Sequence, residues 1–252
     1  MRIDSPDPSQ TGQLRRLWKI AFGDDEKFLD SFFSHAYAPD RARCVTENGQ
    51  VLAMLYWFDC ACDGQKLAYL YAVATDPRFQ EQGLCRSLMA DTRAHLAARG
   101  YDGILLVPGE ESLRRLYRKL GYADCGGIRE DFVTAGGSPI PLRPLSGEEY
   151  VRMRKKYLPP HSVEQEGENA QFLFQAGQLY ALNAGLVAIN AGSEPFFAWE
   201  FLGDPADMPR ILQTLHRENG TFRSFGAEKS FAMFCPLSEN SAPPDYFVLA
   251  FD

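Results

Sequence analysis

The sequence predicts an α/β protein of the mixed-sheet, α+β kind, with two domains in tandem, the second a degenerate copy of the first. Three observations carry this. In the first half a meander of strand-like segments gives way to strand, helix, strand, helix. A run dense in glycine and proline, Thr134 to Pro144, then interrupts the chain. Beyond it the same order of elements returns. The expected domains are residues 1–135 and 145–252.

Leu14, Leu17, Trp18 and Ala21 recur at helical spacing after a capping candidate, Ser9, and Gly23 ends the run. Asp24 and Asp25 can cap a second helix, striped with Phe28, Leu29, Phe32, Phe33 and Ala36 and stopped by Pro39. Strands are expected at 43–46, 51–60 and 66–75, separated by turns at Glu47-Asn48-Gly49-Gln50 and Asp63-Gly64. The period changes after Asp76-Pro77, where Leu84, Leu88 and Leu96 share a face of a helix running from Gly83 to Arg99. Ile104 to Val107 reads as a buried strand. The next helix, Glu110 to Leu120, is acidic at its start and basic at its end, as the helix dipole favours, and Gly121 terminates it. Past the break, strands at 178–182, 186–190 and 196–202, a helix at 206–218, and strands at 221–226, 231–236 and 246–251 repeat the layout.

The 252 residues carry a net charge of -7, which excludes a generic nucleic-acid or anionic-membrane binder. The short basic run from Arg152 to Lys156 reads as a solvated helix face. Six cysteines form no Cys-x-x-Cys pair, Cys60 and Cys62 read as small buried residues of a strand, and four histidines are scattered, so no metal site is expected. No apolar run of about 20 residues and no signal-peptide pattern is present. The expectation is a soluble protein of the reducing cytoplasm without nucleic-acid or membrane partners, of unfixed oligomeric state.

A strand that breaks at Asp76-Pro77 and turns into a helix at Gly83 leaves backbone N–H groups without acceptors at the positive end of a helix dipole. No acid stands from Gln82 through Ala90, Gly83 lets a phosphate approach the backbone, and Arg86 sets a cation against the dipole, which a bound pyrophosphate would offset. At these residues the chain resembles the GNAT superfamily of N-acetyltransferases. Gln80, Gly83 and Cys85 take the three positions of its Arg/Gln-x-x-Gly-x-Gly/Ala signature, Cys85 departing from Gly/Ala. With Arg86 and the Leu17-Trp18 to Phe33 segment, it is similar to enhanced-intracellular-survival type acetyltransferases. The resemblance implies acetyl-CoA as cosubstrate. Gln80, Glu81, Gln82, Gly83, Leu84, Cys85, Arg86 and Ser87 would surround its pyrophosphate, and the backbone of Val73 and Ala74 would pair with pantetheine.

The segment Ser112 to Tyr122 resembles the family's Leu-Tyr-x-x-x-Gly-Phe helix, which puts Tyr117 at the general-acid position and Glu110 where an asparagine often stands. Acetyl transfer to an amine also needs a base. By chemistry alone Asp59, Asp76, Glu111 and the terminal carboxylate of Asp252 are candidates. Phe32, Phe33, Trp57 and Tyr69 are expected to wall an acceptor site, and the acidic charge favours a cationic acceptor. In the second half Asp204 and Asp207 would repel a pyrophosphate, and Phe196, Phe197 and Trp199 line either a cleft or the sheet's own core. The expected function is acetyl transfer to a primary amine of a small molecule or peptide. A non-catalytic CoA-binding regulator is the alternative, and an aminoacyl-tRNA-dependent transferase is disfavoured by the charge.

Overall fold

The computed structural model describes residues 1–165, 167–175 and 177–250. The chain divides into a first unit of residues 1–123 and 234–242 and a second of residues 124–233 with the chain from 243 onward. The glycine- and proline-rich run therefore lies inside the second unit.

The first unit contains β1 (Arg2–Asp4), α1 (Thr11–Phe22), α2 (Glu26–His35), β2 (Ala42–Glu47), β3 (Gln50–Cys62), β4 (Gln65–Thr75), α3 (Leu84–Ala98), β5 (Gly103–Leu106) and α4 (Glu111–Lys119). Its strands lie in the order β1-β2-β3-β4-β5, antiparallel except for the β4–β5 pair. Asp25 starts α2 by accepting the Phe28 N–H at 2.8 Å, as expected. Ser9 does not cap α1: its N–H bonds Asp7, which caps a short 3-10 turn ahead of the helix.

Strand alternation divides the large side chains of β3 between two faces. Tyr56 meets Phe32 with ring centroids 4.9 Å apart, whereas Trp57 meets His95 of α3 at 5.8 Å. Phe32, Trp57 and Tyr69 are 1%, 0% and 1% exposed, so these three are core and not the walls of an acceptor site. Only Phe33 of that set is partly exposed. Their burial is what the hydrophobic effect asks of large rings between a sheet and its helices.

The second unit contains β6 (Ala123–Thr134), β7 (Arg143–Pro144), α5 (Gly147–Arg154), β8 (Glu164–Gln165), α6 (Gly167–Phe174), β9 (Gly177–Leu182), β10 (Gly185–Asn190), β11 (Phe196–Leu202), α7 (Met208–Thr214) and β12 (Asn219–Phe225). The order is β6-β12-β11-β10-β9-β7, with β11 and β12 parallel. Met208, Ile211 and Leu212 of α7 pack on Phe196, Ala198, Phe201 and Phe222, so Phe196 is core. Phe197 and Trp199 are half-buried. The 135–142 segment ties to α7, where Thr214 Oγ1 accepts the Ile140 N–H at 3.0 Å and donates to the Ile140 carbonyl at 2.8 Å.

β6 escaped the sequence reading because Arg129, Glu130 and Asp131 interrupt its apolar pattern. The partner strand supplies the compensation, with Glu130 opposite Arg223 and their side chains 2.9 Å apart. Arg154, read as part of a solvated face, is 2% exposed and donates to both oxygens of the fully buried Glu200 at 2.7 and 2.8 Å. Tyr246 to Ala250 form no strand, only a bridge between Tyr246 and Ser162, and Phe251 lies outside the described residues.

β13 (Lys229–Pro236) runs from the second unit into the first. In the first unit its Phe234 ring fills the space over Gly103, where any Cβ would come within 2.3 Å of it. Among the described residues no helix is long and apolar enough to cross a membrane, and no cluster of metal-ligating side chains occurs.

Candidate active site

Asp76 ends β4 and starts a 3-10 turn, Pro77–Phe79, by accepting the Arg78 N–H at 3.0 Å. The Gln80 side chain reaches back to the Thr75 carbonyl at 3.5 Å. Glu81 and Gly83 then take left-handed backbone conformations, φ 63° and 79°, and α3 begins at Leu84 with no side-chain cap and no acid in its first turn. Asp25 and Ser146 cap α2 and α5 with side-chain bonds, whereas α3 shares its lack of a side-chain cap with α1, α4 and α7. The first N–H groups of this 15-residue helix have no side-chain cap, an arrangement able to hold an anion at the positive end of the helix dipole. Leu84 anchors the turn in the core, Cys85 is half-buried with its thiol pKa raised by burial, and Glu81, Gln82, Gly83, Arg86 and Ser87 are exposed.

Arg86 has no ion pair among the described residues. It opens onto a cleft of about 240 Å³ between α3 and the end of α4, with Arg93 and Lys119 as further cations and Met89, Leu120 and Tyr122 as apolar lining. Arg93 and Lys119 escaped the sequence reading. Arg93 sits seven residues after Arg86 on the same helical face, a usable signal, but Lys119 reads as an ordinary end-of-helix cation.

Upstream of the loop the sheet opens. β4 pairs with β5 only through Leu67, Ala68 and Tyr69, leaving the 70–75 stretch, with Val73 and Ala74, beyond the β5 pairing. Here β4 carries an extra residue: Tyr71 faces Tyr56 and Ala74 faces Met54, and Ala72 has φ 52°. A left-handed alanine costs on the order of 1–3 kcal/mol and re-aims the neighbouring amides. No letter in the sequence betrays this bulge.

Tyr117, in the last turn of α4, is 6% exposed and packs edge-on against Tyr122 with centroids 5.8 Å apart. Burial, with a smaller contribution from Cys85, pushes its hydroxyl pKa far up. The described candidate bases are each engaged by another side chain. Asp76 is 1% exposed and bonded by Arg78 at 2.8 Å, which holds its carboxyl below the usual range. Glu111 pairs with Arg118 at 3.2 Å on the helix surface. Asp59 accepts the Tyr101 hydroxyl and sits opposite Ala68, six residues or about 20 Å along the strand from Ala74. Asp252 lies outside the described residues.

Residues 2–125 match the family model described as "Acetyltransferase (GNAT) domain". Solved structures of similar fold include a GCN5-related N-acetyltransferase from Kribbella flavida (TM-score 0.70, 14% identity, 94% of this chain and 72% of that one). Another GCN5-related N-acetyltransferase, from Anabaena variabilis, has the same TM-score and identity, over 94% and 73% of the chains. Eis1 from Mycobacterium abscessus follows at TM-score 0.67 and 12% identity, over 94% and 74%. At these identities the likeness is one of fold. No curated protein matches the chain.

Proposed function

Residues 2–125 form a GNAT acetyltransferase domain, and from that premise we propose that the protein transfers an acetyl group from acetyl-CoA to a primary amine of a small molecule or peptide. One observation carries the reading: the uncapped, acid-free start of α3 opens onto a cleft bearing three cations, Arg86, Arg93 and Lys119, in a chain of net charge -7. Concentrating positive charge there against the overall balance suits a ligand with several phosphates.

On this reading the 80–87 loop and first turn bind the pyrophosphate, and the bulged 70–75 stretch of β4 takes pantetheine along its backbone. An N–H turned outward at the bulge by Ala72 would stabilise the oxyanion as the amine attacks the thioester carbonyl. Tyr117 then donates to the departing sulfur. Burial holds the phenol protonated, so it acts as donor throughout the working pH range. The second unit serves as scaffold: its Asp204 and Asp207 are engaged with the Ala206 N–H at 2.9 Å and Arg210 at 2.8 Å, with no counterpart of the loop.

The test is thiol release from acetyl-CoA with a panel of primary amines, alongside calorimetric binding of CoA. Turnover of one or more amines is expected. Tight CoA binding with no release for any amine would instead support a regulatory CoA-binding protein.

A further inference from the structure

The cleft beside Arg86 holds more positive charge than the start of α3 accounts for. Arg86, Met89, Ala90 and Arg93 line it from α3, and Lys119, Leu120 and Tyr122 from the end of α4. Positions 86, 90 and 93 share one face of the helix. Seven residues at a rise of about 1.5 Å place Arg93 about 10 Å further along the axis than Arg86. Ala90, between the two arginines, is small and exposed, so it leaves the floor of the cleft open.

Arg93 is half-buried and reaches across to α4, where its Nη1 donates to the Leu120 carbonyl at 3.3 Å. Bonding the last carbonyls of a helix is a common use of a basic side chain, and it occupies one N–H of the guanidinium. It does not explain why Lys119 and Arg86 share the same space. None of the three forms an ion pair among the described residues, and no acid is among the lining residues of the cleft. Like charges gathered in this way repel one another. The chain has 33 acids against 26 lysines and arginines, so partners were not scarce. An anion of high charge would offset the repulsion.

The cleft, about 240 Å³, is smaller than the roughly 300 Å³ at which pockets for whole small molecules begin, so it suits one end of a larger ligand. Resting on the acetyl-transfer reading, we infer that Arg93 and Lys119 hold the 3′-phosphate of the CoA ribose and thereby select donors that carry it. The 80–87 loop and Arg86 take the pyrophosphate, and a single ribose joins that group to the 3′-phosphate, a span within the stretch from Arg86 to Arg93. A phosphate monoester carries about −1.5 to −2 charges at neutral pH and three strong acceptor oxygens. It is the part of the cosubstrate that two further cations serve best. An acyl group presented on a bare phosphopantetheine arm, as on a carrier protein, lacks this phosphate and is a poor donor on this account.

Titration calorimetry of the full chain with CoA and with dephospho-CoA, which differ only in the 3′-phosphate, tests the assignment. The wild type is expected to prefer CoA by about ten- to a hundredfold, the range for charge-assisted bonds to one group. Lys119→Ala and Arg93→Gln should each shrink that preference by about threefold or more, and together remove it, through a loss of CoA affinity. Arg86→Gln, at the pyrophosphate end, should weaken both ligands alike and keep the ratio. The ratio is insensitive to a general loss of folded protein, which lowers both titrations together. Equal wild-type affinities, a preference that survives the double substitution, or one that Arg86→Gln alone abolishes would each overturn the assignment. The acetyl-transfer reading fails differently: neither ligand would bind the wild type, and no amine would release thiol from acetyl-CoA.

Discussion

At the scale of single residues, exposure separates ligand-facing side chains from structural ones. Arg86 is exposed and has no ion pair among the described residues, so Arg86→Glu should weaken acetyl-CoA binding at least tenfold in titration calorimetry while leaving the melting temperature within a degree or two. Tyr117→Phe should lower kcat by about 10²-fold, within the usual range for removing a general acid. Because burial raises the Tyr117 pKa, the protonated, donating form persists well above pH 10. The wild-type kcat profile should therefore show no alkaline decline from this group, read between pH 6 and 10. Asp76 behaves oppositely. Arg78 lowers its folded pKa, so the stability it contributes is present above the ordinary carboxylate range and is lost as pH falls through the lower folded value. Asp76→Ala should cost about 1–2 kcal/mol in denaturant unfolding at pH 7, the size of a lost cap, with a smaller difference at pH 3.

At the scale of elements, the same turn is used twice with different outcomes. Asp76-Pro77 and Asp204-Pro205 both open a 3-10 turn in which the aspartate accepts the N–H two residues on, at 3.0 and 2.9 Å. After Pro77 the helix waits until Leu84, whereas after Pro205 it begins at Met208. The difference is the Gln80-Glu81-Gln82-Gly83 loop. Deleting those four residues should abolish CoA binding by calorimetry while far-ultraviolet circular dichroism retains the helix, because α3 would start as α7 does. The Arg154–Glu200 pair tests a different element contact, between α5 and β11. Glu200→Gln leaves a buried guanidinium undercompensated and should cost about 3–5 kcal/mol in chemical denaturation. Parts of both elements were legible in letters: the Asp-Pro turns and the glycine stops were, but the burial of Arg154 was not, since the carboxylate that neutralises it lies 46 residues away.

At the scale of the whole molecule, residues 1–123 are completed by residues 234–242. A chain cut after residue 135, where the glycine- and proline-rich run marks an apparent boundary, would lack Phe234 over Gly103 and the Leu237 N–H that bonds the Asp102 carbonyl at 2.8 Å. Such a fragment should expose the β5 edge and fail to unfold cooperatively, in contrast to the full chain, by differential scanning calorimetry. By itself the sequence determined what depends on neighbours along the chain: helix stripes, caps such as Asp25, the Gly121 stop, the uncapped loop before α3, and the family its motifs resemble. Tertiary structure alone decided which aromatic rings are core, that β4 bulges at Ala72, that Arg93 and Lys119 join Arg86 around one cleft, that Tyr101 engages Asp59, and that residues 234–242 belong with the first unit. Each of these depends on partners distant in sequence, and a local pattern of letters encodes only the interactions a residue makes within a few positions of itself.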